Sequence, residues 1–172
     1  DQVAAKEKNI RVINAAEGAM NAVAELVLGF MLSLARQTTR GDRAIRNGQW
    51  LKNELKGTEL RGKYLGIVGL GNIGKRLGRL ARALNMNIIG YDVVPIDEEF
   101  AKEVGLMKAD LDTLLQSSDY ISLHVPLMDS TYHLINAQKL STMKKTAKII
   151  NTSRGGVVDE DALYEALKNG NL

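Results

Sequence analysis

From Arg61 onward, short apolar runs alternate with segments in which apolar residues recur every three to four positions. The first pattern predicts buried strands and the second predicts amphipathic helices. Strands and helices that alternate at this spacing indicate a parallel sheet with right-handed crossovers, so the predicted fold class is α/β, a doubly wound parallel sheet. The predicted strands are 64–68, 87–91, 106–107, 119–124 and 147–151, and the predicted helices are 72–84, 96–103, 110–116, 136–142 and 159–168.

The first 60 residues follow a less regular pattern. Asp1–Asn9 predicts a short helix and Ile10–Ile13 a strand. Met20–Gln37 predicts a long helix with apolar positions over most of its surface. It is either a central core helix or a helix that packs on its own domain with one face and on another domain or subunit with the other. The polar stretch Thr38–Leu60 predicts irregular structure anchored by Trp50.

Three glycines follow the strand predicted at 64–68 and precede the helix predicted at 72–84. Gly69, Gly71 and Gly74 have the spacing G-x-G-x-x-G, which is typical of dinucleotide-binding sites. The first glycine permits a tight turn, the second lets the backbone approach a pyrophosphate, and the third lets the helix pack closely on the sheet. The free N–H groups of the first helical turn, at Asn72 and Ile73, then bind the phosphates.

Asp92 ends the second predicted strand, eighteen positions after the last of these glycines. A carboxylate at that point accepts hydrogen bonds from the adenosine ribose hydroxyls and repels a 2′-phosphate. The next residues, Val93 to Pro95, include no arginine or lysine that would receive such a phosphate. The sequence therefore predicts NAD rather than NADP as the cofactor, in a sheet of the Rossmann type.

The helix predicted at 72–84 also carries basic residues away from its apolar face. The simplest interpretation of these residues is a solvated surface. They are Lys75, Arg76, Arg79 and Arg82.

Arg154 is the candidate for chemistry on a substrate. In open parallel sheets, ligands bind beyond the carboxyl ends of the strands, and Arg154 follows the strand predicted at 147–151. A guanidinium there can hold a carboxylate with two hydrogen bonds and polarise an adjacent carbonyl. The residues leave open an alternative, in which Arg154 bonds backbone carbonyls of its loop or forms an ion pair with Asp159 or Glu160.

The two histidines receive structural interpretations. Histidine as a residue type titrates near neutral pH, so a general base is one interpretation of His124. Its position at a strand end, two residues before Pro126, favours a place in the wall of the adenine pocket. His133 lies in a polar loop and is predicted to be exposed. Asp159, Glu160 and Asp161 open the last predicted helix, where acids are expected as the N-cap and in the first turn.

The predicted site contains one catalytic residue, Arg154, and no metal ligands. The residues predicted to bind the cofactor lie in the glycine loop and at the ends of the following strands. They are Gly69, Gly71, Asn72, Ile73, Gly74, Asp92, His124, Pro126, Thr131, Thr152 and Ser153.

Composition narrows the classes of function. The 172 residues carry a formal charge of +3 with acids and bases intermixed, so no nucleic-acid partner is predicted. The absence of cysteine excludes disulfides and thiolate chemistry and is compatible with a cytoplasmic location. The longest apolar stretch, Leu26 to Leu34, is far shorter than the ~20 residues that a bilayer requires, so no membrane partner is expected. The chain begins at Asp1, and a processed N-terminus would hide any targeting segment.

Several of these motifs together resemble the NAD-dependent D-isomer-specific 2-hydroxyacid dehydrogenases. The likeness covers nearly the whole chain. Within the family, Asn47–Trp50 and Gly57–Lys63 are most similar to the members that act on D-3-phosphoglycerate. The segment Ala15–Ala19 departs from the family, because it lacks a proline and a Gly-Asn pair often found there. The motifs that carry the resemblance are Ala22–Leu26, Gly69–Gly74, Tyr91–Asp92, His124–Leu127, Asn151–Gly156 and Val158–Glu160.

The resemblance implies a division of the chain and a reaction. Residues 1–18 would be a remnant of the substrate domain and hinge, and residues 19–172 an NAD-binding domain without its C-terminal end. The resemblance implies that Arg154 orients a 2-hydroxy or 2-keto acid, that Asp92 binds ribose, and that the helix at 20–37 forms a homodimer or larger oligomer.

Family members also carry a catalytic histidine and a glutamate beyond the position of Leu172, and a segment before Asp1. These 172 residues are therefore expected to bind NAD but to turn over slowly or not at all. Glyoxylate, hydroxypyruvate and D-lactate dehydrogenases are alternatives. So is a non-catalytic module that binds a protein partner in response to NAD.

Overall fold

A five-stranded sheet forms the centre of the protein. The computed structural model describes residues 1–13 and 18–172. All four neighbouring strand pairs are parallel, and the strand order is β3-β2-β1-β4-β5. This order confirms the predicted doubly wound fold class. The strands are β1 (Tyr64–Val68), β2 (Asn87–Tyr91), β3 (Leu106–Lys108), β4 (Tyr120–Leu123) and β5 (Lys148–Asn151).

Helices connect the strands and cover both faces of the sheet. Every element predicted after residue 61 is present, with its ends shifted by at most two residues. A 3₁₀ turn at Gly155–Val157 precedes the last helix. The helices are α1 (Gln2–Glu7), α2 (Met20–Arg36), α3 (Thr38–Arg46), α4 (Asn72–Ala83), α5 (Glu98–Val104), α6 (Leu111–Ser117), α7 (Ala137–Thr142) and α8 (Glu160–Lys168).

The central strand β1 divides the core into two clusters. Because successive side chains of a strand point to opposite faces, Leu65 and Ile67 lie in one cluster while Val68 lies in the other. The first cluster packs against α2 and α4, and the second against α6 and α7. Burial on both faces explains why the strands read as continuous apolar runs.

Asp119 joins three elements at the amino-terminal edge of the sheet. Its carboxylate accepts a hydrogen bond of 2.8 Å from the Tyr64 backbone N–H and one of 2.9 Å from Lys144 Nζ. Burial alone would raise the pKa of Asp119, but these two hydrogen bonds and the nearby lysine charges lower it below its usual range. The ionised carboxylate therefore ties β1 to the segments that begin β4 and β5.

Helix α2 has apolar residues on both of its faces. Ala24, Val27 and Met31 are fully buried and face the sheet and α4. Phe30 and Leu34, on another side of the helix, remain 45% and 46% exposed. Of the two interpretations of this helix, the central core helix is therefore wrong for the described residues, because part of its apolar surface lies outside the core.

Three predictions for the first 60 residues are wrong. Ile10–Ile13 forms no strand, since the sheet offers it no partner and Ile10, Val12 and Ile13 are all exposed. Thr38–Leu60 is not irregular throughout, because it begins with α3, where an Arg46–Asp42 ion pair spans one turn. Trp50 is not an anchor and is 77% exposed, whereas Leu60 is buried. The departure from the family at Ala15–Ala19 falls mainly on residues 14–17, outside the described residues.

The basic residues of α4 are not simply a solvated surface. Lys75 forms an ion pair of 2.7 Å with Asp97, and Arg79 donates two hydrogen bonds of 2.7 Å to the Glu103 carboxylate. Arg76 is half-buried, and its Nε lies without a hydrogen-bond partner among the described residues. Only Arg82 is exposed without any of these features in this part of the helix. Asp97, the N-cap of α5, and Glu103, within α5, thus fix α4 against α5.

Within the ranges 1–13 and 18–172, no helix combines the length and apolar character needed to cross a membrane.

Candidate functional site

The order of the sheet reverses between β1 and β4, and ligands of such sheets bind at the carboxyl ends of the strands beside this reversal. The glycine loop follows β1, Asp92 follows β2, His124 follows β4, and Asn151 ends β5. Two cavities open along this edge, of about 300 Å³ and about 550 Å³. Both are lined by His124, Val125 and Pro126, so they adjoin each other.

The glycine loop is shaped by close backbone contacts. Gly69 has φ +92°, and a Cβ there would lie 2.6 Å from the His124 carbonyl oxygen. A Cβ on Gly74 would overlap the Gly69 carbonyl oxygen. Gly71 differs from both, because a Cβ there would meet nothing within 4 Å among the described residues other than its chain neighbours. Gly69 and Gly74 are therefore required by the fold, whereas the space beside Gly71 is open to a ligand.

Gly71 is also the N-cap of α4, and no side chain in the described part of the chain caps this helix. The first N–H groups of a helix have no partner within the helix, and they carry the positive end of its dipole. Asn72 and Ile73 carry the first of these N–H groups, directly after the open space at Gly71, and such groups can bind an anion.

Asp92 is held in place by the backbone. Its Oδ2 accepts a hydrogen bond of 2.6 Å from the Leu70 N–H, and its Oδ1 accepts one of 3.1 Å from the Val94 N–H. Each carboxylate oxygen can accept more than one hydrogen bond, so both retain acceptor capacity toward the cavity that Asp92 lines. This arrangement suits hydroxyl donors such as those of a ribose.

The smaller cavity is lined mainly by apolar atoms. His124 belongs to its wall, and burial lowers the pKa of this histidine to about 4. The ring is therefore neutral at neutral pH, and its Nε2 shares a hydrogen bond of 2.9 Å with Ser122 Oγ. A neutral ring with so low a pKa is poorly suited to be a general base and well suited to an apolar wall.

The larger cavity contains a polar atom that has no protein partner. Thr152 Oγ1 is buried and makes no hydrogen bond among the described residues. Ile73, Ser153 and Arg154 line the same cavity. A buried hydroxyl without a partner is costly, and because Thr152 Oγ1 has almost no accessible surface, other atoms of this residue line the cavity.

Arg154 lies at the rim of this cavity and is exposed. One guanidinium nitrogen, Nη1, donates a hydrogen bond of 2.8 Å to the Ser153 carbonyl oxygen. Among the described residues, neither Asp159 nor Glu160 forms an ion pair with it. The alternative of an ion pair to either acid is therefore not found. The alternative of a bond to a backbone carbonyl of the loop is found, but it uses only part of the donor capacity of the guanidinium.

Two predicted site residues lie at the cavities but direct their hydroxyls elsewhere. Thr131 lines the smaller cavity, yet its hydroxyl lies 2.6 Å from the Pro126 carbonyl oxygen and 2.8 Å from the Met128 N–H. Ser153 Oγ donates a hydrogen bond of 2.7 Å to Asn151 Oδ1. Both hydroxyls thus shape loops of the site.

His133 is not simply exposed. Its ring stacks on Tyr132 at 3.9 Å between centroids, and its Nδ1 lies 3.5 Å from Asp159 Oδ2. Asp159 Oδ1 accepts the Ala162 N–H at 3.0 Å, which confirms the predicted N-cap of α8.

Sequence reasoning missed part of the apolar lining. Tyr91, Val125 and Met128 line the smaller cavity. They could have been predicted from their position in the sequence, because each lies within or directly beside a segment already assigned to the site. Across residues 1–13 and 18–172, no cluster of three or more histidine, aspartate or glutamate side chains could hold a metal ion.

These features fit a bound dinucleotide. The fixed Asp92 carboxylate and the open space beside Gly71 lie at the smaller cavity, and Thr152 and Arg154 line the adjoining larger cavity. The first cavity offers a ribose acceptor and anion-binding N–H groups, and the second offers room for the other half of the dinucleotide.

Comparison with known families decides the classification. The profile of the family described as "D-isomer specific 2-hydroxyacid dehydrogenase, NAD binding domain" matches residues 28–172. This chain belongs to the D-isomer specific 2-hydroxyacid dehydrogenases. The match is to their NAD-binding domain, so NAD is the cofactor, as the sequence predicted.

The chain is 44% identical to a D-3-phosphoglycerate dehydrogenase of Methanocaldococcus jannaschii. The aligned region covers 100% of this chain and 33% of that protein. It is 45% identical to a hydroxypyruvate reductase of Thermotoga maritima. Here the aligned region covers 98% of this chain and 54% of that protein. The chain spans between a third and about half of the length of these relatives.

Solved structures of this family superpose on the whole chain. An apo D-mandelate dehydrogenase of Rhodotorula graminis matches with a TM-score of 0.91 and 38% identity, over 100% of this chain and 53% of that one. The apo D-lactate dehydrogenase of Escherichia coli matches with a TM-score of 0.89 and 37% identity, over 100% and 54%. These likenesses confirm the Rossmann-type fold.

Proposed function

We propose that the protein is an NAD-dependent oxidoreductase that interconverts D-2-hydroxy acids and 2-keto acids. The observation that carries the proposal is the pair of adjoining cavities with the glycine loop and Asp92 at one end and Arg154 at the other. Residues 19–172 would form the NAD-binding domain, and residues 1–18 would belong to a substrate domain and hinge. Membership of the family supports this division.

The cofactor would lie along the carboxyl ends of the strands. Its pyrophosphate would meet the N–H groups of Asn72 and Ile73 beside Gly71, and its adenosine ribose would bond Asp92. His124 and Pro126 would form the wall between the two halves of the site, with Thr131 behind them. Thr152 and Ser153 would contact the nicotinamide end.

The glycine loop and Asp92 would hold NAD, which would supply the acceptor for the hydride from C2 of the hydroxy acid. Arg154 would hold the substrate carboxylate with two N–H groups and bring C2 into reach of that cofactor. The hydroxyl proton needs a base, and His124 does not meet this need because its pKa is about 4. The 172 residues on their own would therefore bind NAD but turn over slowly or not at all.

D-3-Phosphoglycerate is the proposed substrate. The motifs at Asn47–Trp50 and Gly57–Lys63 support it, together with relatives named D-3-phosphoglycerate dehydrogenase at 40–44% identity. That reaction belongs to serine biosynthesis and would place the enzyme in the cytoplasm. Glyoxylate, hydroxypyruvate and pyruvate are the competing keto substrates, since other relatives carry those names.

Kinetics on the intact gene product test the proposal. NADH oxidation is followed with 3-phosphohydroxypyruvate, hydroxypyruvate, glyoxylate and pyruvate, and the highest kcat/KM assigns the substrate class. Arg154→Ala should lower kcat/KM by two orders of magnitude or more, and Arg154→Lys should restore only part of it, because lysine lacks the planar fork. Activity in Arg154→Ala equal to that of the unmodified protein would contradict the assigned role. If the protein has no activity on any of these acids and binds a protein partner in response to NAD, it would instead be the non-catalytic binding module.

A homodimer or larger homo-oligomer through α2 is part of the proposal. Leu26, Phe30 and Leu34 leave apolar surface outside the core on this helix, and contiguous patches of this kind mark protein contacts. The mass in solution, measured by light scattering, should be a multiple of the chain mass, and Phe30→Glu should reduce it. An unchanged mass in that variant would place the contact elsewhere.

A further inference from the structure

The Asn151 side chain fastens the loop that carries Arg154. Asn151 is the last residue of β5, and its Oδ1 accepts hydrogen bonds from the Ser153 N–H at 3.0 Å and the Ser153 hydroxyl at 2.7 Å. Its Nδ2 donates a hydrogen bond of 2.8 Å to the Arg154 carbonyl oxygen. One side chain therefore satisfies three polar groups of the loop that follows its own strand.

This clamp connects two rigid parts of the fold. On one side, Asn151 pairs with Leu123 in the β4–β5 ladder. On the other, the Arg154 carbonyl oxygen also accepts the Val157 N–H at 3.2 Å, as part of the 3₁₀ turn that leads into α8. The backbone of Arg154 is thereby held between the end of the sheet and the start of the turn.

The guanidinium of Arg154 has much weaker support. Its one intramolecular hydrogen bond among the described residues goes to the carbonyl of the adjacent Ser153, and the residue is exposed. An exposed long side chain with so few contacts is oriented mainly by its backbone. The Arg154 backbone is extended, with φ −146° and ψ 144°. Whatever fixes that backbone also fixes where the guanidinium can reach.

We propose that Asn151 is a positioning residue for the reaction on 2-hydroxy and 2-keto acids, which acts by aiming Arg154 at the substrate carboxylate. This inference rests on the proposed function, because it assumes that Arg154 binds that carboxylate. Asn151 itself need not touch substrate or cofactor. The carboxamide of Asn151 supplies both the acceptor for Ser153 and the donor for Arg154, and it adds no charge that would compete for the guanidinium.

The aspartate variant separates these two requirements. Asn151→Asp has nearly the same shape and keeps an acceptor for Ser153. It replaces the donor by an oxygen that faces the Arg154 carbonyl, and it adds a negative charge to the loop. Both Asn151→Ala and Asn151→Asp should lower kcat/KM for the keto acid by about ten- to hundredfold, because a misplacement near 1 Å has effects of this size.

A double-mutant cycle on the intact gene product tests the inference. The kcat/KM for the keto acid is measured in the unmodified protein, Asn151→Ala, Arg154→Ala and the double variant, and NADH affinity is measured by fluorescence in each. Residues that act through one another give non-additive effects. We expect the double variant to match Arg154→Ala within about twofold, and Asn151→Ala to lose far less NADH affinity than kcat/KM. Asn53→Ala, at an exposed asparagine in a surface turn, is the matched control.

Each result assigns a cause. Additive losses, or a loss of NADH affinity equal to the loss of kcat/KM, would mean a structural role for Asn151 and would overturn the inference. Full activity in Asn151→Ala would overturn it directly. If Asn151→Ala fails to fold, the same cycle is run with Asn151→Asp. If Arg154→Ala is fully active while the protein remains an oxidoreductase, the proposed role of Arg154 fails first, and the inference fails with it.

Discussion

Substitution of two glycines in the same loop should separate stability from cofactor binding. Gly69 and Gly71 are two residues apart, and both belong to the G-x-G-x-x-G motif. Their surroundings differ, because a Cβ on Gly69 meets the backbone of His124 whereas a Cβ on Gly71 meets open space. We predict that Gly69→Ala lowers stability, and that Gly71→Ala keeps stability but lowers NAD affinity.

The size of the Gly69→Ala effect follows from two contributions. An alanine at φ +92° carries backbone strain of about 1–3 kcal/mol. The Cβ would lie 2.6 Å from the His124 carbonyl oxygen, and relief of such an overlap by backbone movement costs about 1–3 kcal/mol more. A loss of about 2–6 kcal/mol lowers Tm by about 4–24 °C for a domain of this size.

Gly71→Ala should leave the unfolding free energy within about 0.5 kcal/mol of the unmodified value, since φ −69° and ψ −163° suit any residue. The added methyl group would occupy the space where the pyrophosphate approaches Asn72 and Ile73. Movement of the pyrophosphate away from these N–H groups should raise the Kd for NAD at least about tenfold, a loss of about 1.4 kcal/mol.

Differential scanning calorimetry gives Tm, and isothermal titration calorimetry gives the Kd for NAD. Gly29→Ala is the control, because this glycine lies in α2 with open space around it. It should keep NAD affinity and gain up to about 1 kcal/mol from helix propensity. Unchanged NAD affinity in Gly71→Ala, or an unchanged Tm in Gly69→Ala, would refute the separate roles given to the two glycines.

Three other single-residue changes test the ribose contact, the buried histidine and the edge of the sheet. Asp92→Ala should raise the Kd for NAD at least about tenfold, measured by calorimetry, because hydrogen bonds to a charged group contribute about 1.5–3 kcal/mol. His124 binds its proton more weakly in the folded protein than in the unfolded chain, with a pKa of about 4 against 6.5. Stability should therefore fall by up to about 3 kcal/mol as pH drops from 6.5 to 4, and urea unfolding of His124→Gln should lack this slope. Asp119→Ala should lower the unfolding free energy by about 1–3 kcal/mol in the same assay, because the Tyr64 N–H loses its acceptor.

Each of these predictions has a contradicting outcome. Equal NAD affinity in Asp92→Ala would remove the ribose contact, and Asp42→Ala, at an exposed ion pair on α3, is its control. The same pH slope in His124→Gln would assign the proton uptake to another group. An Asp119→Ala protein as stable as the original would mean that the Tyr64 N–H finds water in its place.

The parts of the site that were predictable are those dictated by local geometry. The Gly69, Gly71 and Gly74 spacing and the acid at the end of the second strand predicted the cofactor, because each residue meets a requirement of the backbone at its own position. The N-cap role of Asp159 was predictable for the same reason. Thr131 and Ser153 were harder, since the sequence places them near the site but does not say where a hydroxyl points.

Contacts between distant segments were not predictable in the same way. Ile10–Ile13 has strand-forming residues but finds no neighbouring strand, and Trp50 is apolar but meets no core. Lys75 and Arg79 lie on the polar face of their helix, and the acids that pair with them become neighbours only when α5 packs beside α4. Propensity describes a residue, whereas these outcomes depend on what the fold brings beside it.

The sequence alone determined the class of sheet, the order of its elements and the cofactor, because hydrophobic periodicity and glycine spacing are set within short stretches of chain. Tertiary structure decided which side of α2 is buried, how Asn151 holds the Arg154 loop, and that His124 is neutral. The last follows from burial by segments far apart along the chain, since desolvation depends on all the atoms around the ring and not on its sequence neighbours.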